Sequence, residues 1–174
     1  SVVALLPGSR AGEVERMGRL FLDVAQWCAA QKTDLSFVLP AANSARKQQL
    51  QALLKDYPRL PVQLVDGQSQ LCMTASDVVL MASGTTTLEA MLLKKPMVVA
   101  YKMARLSYAI ISHLLKVPYV ALPNLLANKK LVPEFLQDDA TVENLGAALL
   151  NLLNNSALVQ DMQQQFSAIH QDIR

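Results

Sequence analysis

Charge is scarce in this sequence. Asp, Glu, Lys and Arg make up 17% of its 174 residues and balance to a net +2. A balance that small provides no field to steer nucleic acid onto the surface, so no nucleic-acid partner is expected. Cysteine is scarcer still. Cys28 and Cys72 are the only two, and they share no metal-like spacing. A reduced, cytoplasmic protein is the simplest reading, with a disulfide between the two left open. His113 and His170 have no partner at ligand spacing, and no Ser-His-Asp or Cys-His set is visible. No metal site and no nucleophilic triad is therefore expected. No apolar run approaches the ~20 residues of a membrane span. Two common phosphate signatures are missing: there is no G-x-G-x-x-G, and no Gly-Lys-Ser/Thr follows a glycine turn. Ser1 leads straight into an apolar run, so no signal peptide is expected, and a fragment of a longer chain is one reading of so abrupt a start.

Apolar residues, by contrast, make up 52%, enough for one domain with a sheet covered on both faces. Short apolar runs predict strands over residues 2–6, 35–39, 62–65, 78–81, 97–101 and 119–122. Between them, apolar residues three and four apart predict helices over 12–30, 43–55, 68–75, the segment from about 86 to 94, and 105–116. Pro40 is read as stopping the second strand. Short helices follow over 133–137, then 142–154 capped by Thr141, then a Gln-rich helix from 156 to about 173 capped by Ser156. Strands alternating with helices through short loops are the signature of an α/β fold, a Rossmann-like doubly wound parallel six-stranded sheet. The whole of 1–174 reads as one domain, with the helices of 142–173 packing on it.

Ligands of such sheets bind beyond the carboxyl ends of the strands. The turn after the fourth strand, Ser83-Gly84-Thr85-Thr86, opens a helix, so free N–H groups and a helix dipole face whatever lies above it. Gly84 admits a close ligand, the threonines add hydroxyls, and Glu89 lies about one turn in, suited to the vicinal hydroxyls of a ribose. A nucleotide is the ligand class this suggests; helix capping is the alternative. Pro7-Gly8-Ser9-Arg10 after the first strand is either a capped turn or a phosphate site in which the planar fork of Arg10 takes the oxygens. Asn124 is either a turn residue or a sugar contact. Glu13 reads first as a first-turn acid favoured by the dipole. Around the apolar helix of 106–115, Lys102, Arg105 and Lys116 leave an interfacial role open.

Taken together, Leu6-Pro7-Gly8-Ser9-Arg10 with Glu13-Val14, Ala82-Ser83-Gly84-Thr85 with Leu88-Glu89, Pro96-Met97-Val98-Val99 with Tyr101, and Leu122-Pro123-Asn124-Leu125-Leu126 resemble lipid-A-disaccharide synthase along essentially the whole chain. The resemblance implies the carboxyl-terminal, donor-binding half of a GT-B glycosyltransferase. It also implies transfer of a diacylglucosamine from UDP to diacylglucosamine 1-phosphate, with inversion and without a metal or other cofactor. The amino-terminal acceptor domain, which carries the essential acid or base, is absent, so this chain alone is expected to be inactive. The implied partners are UDP-2,3-diacylglucosamine, a lipid acceptor held by the missing domain, the inner-membrane surface and a second copy, the last two for the full-length protein. In this chain the catalytic role falls to Arg10, which stabilises the leaving diphosphate. Gly8, Ser9, Ser83, Gly84, Thr85 and Thr86 are assigned to phosphate, Glu89 to the ribose, and Asn124 to the diphosphate or sugar. Gly67, Gln68, Tyr101 and Lys102 are assigned to the uracil region. The alternatives are another GT-B enzyme, such as a UDP-N-acetylglucosamine 2-epimerase, and a non-catalytic flavodoxin-like domain. The latter fits poorly, because Pro7 to Arg10 stands where a receiver would carry its acidic cluster.

Overall fold

The structure is a computed structural model that describes residues 1–82, 86–102, 121–127 and 129–173. Five apolar runs form the strands expected of them: β1 (Val2–Leu6), β2 (Ser36–Ala41), β3 (Val62–Asp66), β4 (Val78–Ala82) and β5 (Met97–Tyr101). With β6 (Glu134–Leu136) they make one six-stranded sheet in the order β3-β2-β1-β4-β5-β6, parallel at every pairing. β4 is buried along its whole length, and β1 from Val3 onward, because both lie in the middle of the sheet with helices on each face. That double cover is what continuous apolar runs encode.

The helices divide into two groups. α1 (Ala11–Gln31) packs against α2 (Ser44–Leu54) and α6 (Val142–Asn154). α4 (Thr86–Leu92) packs against α3 (Ser69–Ala75), α5 (Leu122–Ala127) and α7 (Ser156–Asp172). The strand order runs outward from β1 in one direction to β3, then outward from β4 in the other to β6. Right-handed crossovers therefore place the two groups on opposite faces. α1 buries Val14, Met17, Phe21, Val24 and Cys28 on one stripe, which is why its sequence reads so clearly as a helix. The carbonyl of Gly146 on α6 accepts the Cys28 thiol at 3.7 Å, and the Trp27 ring fills the space a side chain at Gly146 would need.

The structure corrects four sequence expectations. The sixth strand is not at 119–122. Residues 119 and 120 lie outside the described residues, and Leu122 opens α5, with Pro123 tolerated in its first turn. The strand is instead Glu134–Leu136, where a helix over 133–137 was expected; only a 3-10 turn, Gln137–Asp139, follows it. An edge strand of three half-buried residues carries no continuous apolar run, so periodicity misses it. Finally, α7 is capped by Asn155, whose side chain accepts the Leu158 N–H at 3.1 Å, rather than by Ser156. Pro40 does not stop β2 but pairs with Val65 of β3. The Phe37 N–H points to β3, so the missing N–H of Pro40 faces β1, whose ladder with β2 has already ended at Val38. The helix expected over 105–116 lies outside the described residues.

Candidate functional site

The carboxyl ends of five strands open onto one cavity of about 750 Å³. It straddles β1 and β4, where the strand order reverses, which is the crevice position for ligands in open parallel sheets. Gly8, Ser9 and Arg10 reach it from β1, Gly67 and Gln68 from β3, Thr86 from the start of α4 and Tyr101 from β5. Seven of the nominated residues are thus brought together. Ser83, Gly84 and Thr85 lie outside the described residues. Glu89, Lys102 and Asn124 are described but do not line the cavity.

The β1 turn is built around glycine for a reason that can be stated in atoms. Gly8 has φ +115°, and a Cβ there would fall on the Glu13 carboxylate. That carboxylate accepts the Ser9 N–H at 3.1 Å. Glu13 therefore fastens the turn, in keeping with its reading as a first-turn acid. Arg10 is the N-cap residue of α1: its carbonyl accepts from Val14 at 2.9 Å, while its side chain makes no capping bond. No ion pair engages Arg10 among the described residues. Arg10 lines the cavity with Glu13 as the one carboxylate among the described lining residues.

On the β3 side, Gly67 and Gln68 are both left-handed, with φ of 59° and 58°. For Gln68 this conformation costs about 1–2 kcal/mol. It turns the chain so that both residues wall the cavity while the Gly67 N–H donates to the Ala41 carbonyl at 2.7 Å. Lys47 pairs with Asp66 at 2.8 Å beside this turn.

Asn124 has a different place from the one expected. Its side chain is fully buried. Its Oδ1 accepts the N–H groups of Leu131 and Val132 at 2.6 and 2.8 Å, and its Nδ2 donates to the Val132 carbonyl and to Glu134 Oε1 at 3.1 and 3.0 Å. The amide joins α5 to the entry of β6, and any ligand contact from it requires breaking one of those bonds. Glu89 is half-buried on α4, and Thr87 beside it is fully buried.

Sequence reasoning passed over Gly12, Arg16, the Pro40-Ala41-Ala42 corner and Ser69, which also line the cavity. Arg16 was findable: it follows Gly12 by four residues, one turn along the same helix face. The strongly displaced titrations lie elsewhere. Burial pushes the Cys28 thiol up to about 11. Burial, then a hydrogen bond to Asp23, pushes the Tyr57 phenol up to about 12. Among the described residues no cluster of three metal-ligating side chains exists, and no helix is long and apolar enough to cross a membrane.

Sheet order and crevice define the class: a Rossmann-like α/β domain of the kind that forms one half of a GT-B glycosyltransferase. Solved structures share this fold. The C-terminal CMP-Kdo binding domain of WaaA from Acinetobacter baumannii superposes with a TM-score of 0.68 at 15% identity, over 98% of this chain and 89% of that one. WaaG, a glycosyltransferase involved in lipopolysaccharide biosynthesis, gives 0.63 at 16% identity over 95% of this chain and 41% of that one. The sequence carries the identification further. The family model for lipid-A-disaccharide synthetase matches residues 1–174, and the chain belongs to that family. It is 56% identical over 173 residues to the lipid-A-disaccharide synthase of Cellvibrio japonicus, covering 99% of this chain and 45% of that protein. It is 51% identical to that of Pseudomonas aeruginosa, with the same 99% and 45% coverage. The chain thus spans a little under half the length of these curated relatives.

Proposed function

We propose that this chain is the donor-binding half of an inverting glycosyltransferase that moves 2,3-diacylglucosamine from UDP to the 6-hydroxyl of 2,3-diacylglucosamine 1-phosphate. The observation that carries this reading is the match to lipid-A-disaccharide synthases along the whole chain. The switch-point cavity lined by Arg10 supports it. In this proposal Gly8, Ser9, Arg10 and Thr86, with residues 83–85, hold the diphosphate. Arg10 stabilises the charge that collects on the diphosphate as the glycosidic bond breaks. Glu89 takes the ribose hydroxyls, and Gly67, Gln68, Tyr101 and Lys102 surround the uracil. Asn124 is left out of these contacts, since its amide is spent inside the fold. No metal ion is required.

The lining carboxylate, Glu13, is tied to the Ser9 N–H. Following the family resemblance, the proposal places the base that removes the acceptor hydroxyl proton in a domain outside this chain, along with the acyl-chain pocket, and the chain alone does not turn over. Attachment to the inner-membrane surface and dimerisation likewise belong to the longer protein in this proposal. The rival reading, a UDP-N-acetylglucosamine 2-epimerase, shares only the fold: the Neisseria meningitidis enzyme superposes with a TM-score of 0.59 at 18% identity.

Calorimetric titration with UDP tests the proposal. The chain is expected to bind UDP weakly. Arg10→Ala is expected to lose about tenfold to a hundredfold in affinity, the value of a charge-assisted hydrogen bond to phosphate. A variant that binds as well as the parent removes Arg10 from the site.

A further inference from the structure

Of the cations near the cavity, Arg16 is the one no role has yet absorbed. It lies on the first two turns of α1, one turn beyond Gly12, and it lines the cavity together with Arg10. Its guanidinium folds back along the helix toward Gly12, on an exposed side chain. A Cβ at Gly12 would sit 3.6 Å and 3.8 Å from its two terminal nitrogens. Backward folding is the ordinary direction of a helical side chain, and here it carries the charge toward the turn that holds Arg10. Two other cations are paired: Arg19, further along α1, with Asp56 at 3.0 Å, and Lys47 with Asp66 at 2.8 Å. Arg16, like Arg10, has no ion-pair partner among the described residues.

Charge on the described wall is therefore lopsided. Arg10 and Arg16 face one carboxylate, Glu13, and that carboxylate already accepts the Ser9 N–H. Two planar forks on the wall of one cavity are suited to an anion that offers two sets of oxygens. We propose that Arg16 is the second anion-binding side chain of this cavity, closing with Arg10 on a nucleoside diphosphate so that a diphosphate is held in preference to a monophosphate. This rests on the nucleotide reading above and specifies what that site selects.

UDP and UMP are titrated into the parent chain and into Arg16→Gln and Arg16→Lys, after circular dichroism has shown that each variant is folded. The parent is expected to prefer UDP. Arg16→Gln is expected to lose about tenfold in UDP affinity and much less for UMP, so that the preference shrinks. Arg16→Lys keeps the charge without the fork and is expected to fall between. Equal losses for both nucleotides, or no loss, overturn the proposal while leaving the nucleotide site standing. Absence of UDP binding to the parent overturns the site itself and this inference with it. A third arm titrates glucosamine 1-phosphate in the presence of saturating UDP. If Arg16→Gln weakens only that ligand, the guanidinium serves a second phosphate and the diphosphate assignment is wrong.

Discussion

Arg10 sits where β1 hands over to α1, and its position follows from its neighbours more than from its own side chain. Gly8 must be left-handed for the chain to leave the strand, and it must lack a Cβ because Glu13 occupies that space. Glu13 in turn holds the Ser9 N–H. Three residues thus fix the direction in which Arg10 can reach. The motif was legible in the sequence as a glycine turn with an arginine beside it. The stitch from Glu13 was not, because a hydrogen bond four residues back to a main-chain N–H leaves no mark in composition or period. Glu89 presents the opposite case: the sequence offers a role, and the structure sets the side chain half-buried on α4, away from the cavity lining. If it nevertheless reads the ribose, Glu89→Ala is expected to narrow the difference in affinity between UDP and 2′-deoxy-UDP. Unchanged discrimination in paired titrations removes that assignment.

Among the elements, those with full apolar periods were readable and those held by polar contacts were not. β1, β4, β5 and α1 announce themselves because each buries a continuous run or stripe. The segment from α5 to β6 does not, because its order comes from a buried amide. Asn124 satisfies the N–H groups of Leu131 and Val132 and reaches Glu134 at the start of β6. Glu134 also accepts the N–H of Ala121 at 2.8 Å. The same asparagine looked like a ligand contact from its place between prolyl and apolar residues, since sequence alone does not say which way an amide faces. Asn124→Ala strands two buried N–H donors and is expected to cost about 2–4 kcal/mol. Urea denaturation checks this. A loss below ~0.5 kcal/mol would mean that the segment is held by something else.

For the whole molecule, stability should fall on the alkaline side. Cys28 is buried against α6, and burial pushes its thiol up from the ordinary 9.0 to about 11. Below pH 9 both states keep the proton and the group is neutral in the balance. Between about 9 and 11 the unfolded chain ionises first, so folding weakens as pH rises through that window. Tyr57, raised from 10.0 to about 12, extends the loss upward. Denaturant midpoints at a series of pH values should decline above pH 9, and less steeply in Cys28→Ala. Equal slopes in parent and variant would show that this thiol is not the cause. Among the described residues, the cavity lies at the carboxyl edge of the parallel sheet, and the proposal places a sugar nucleotide there. The most direct test is a UDP titration followed by backbone amide shifts in nuclear magnetic resonance spectra. The account predicts that Gly8 to Gly12, Gly67 to Ser69, Thr86 and Tyr101 shift together with one dissociation constant, while amides of α7 stay still. Shifts that gather on α7, or none at saturating UDP, would contradict it.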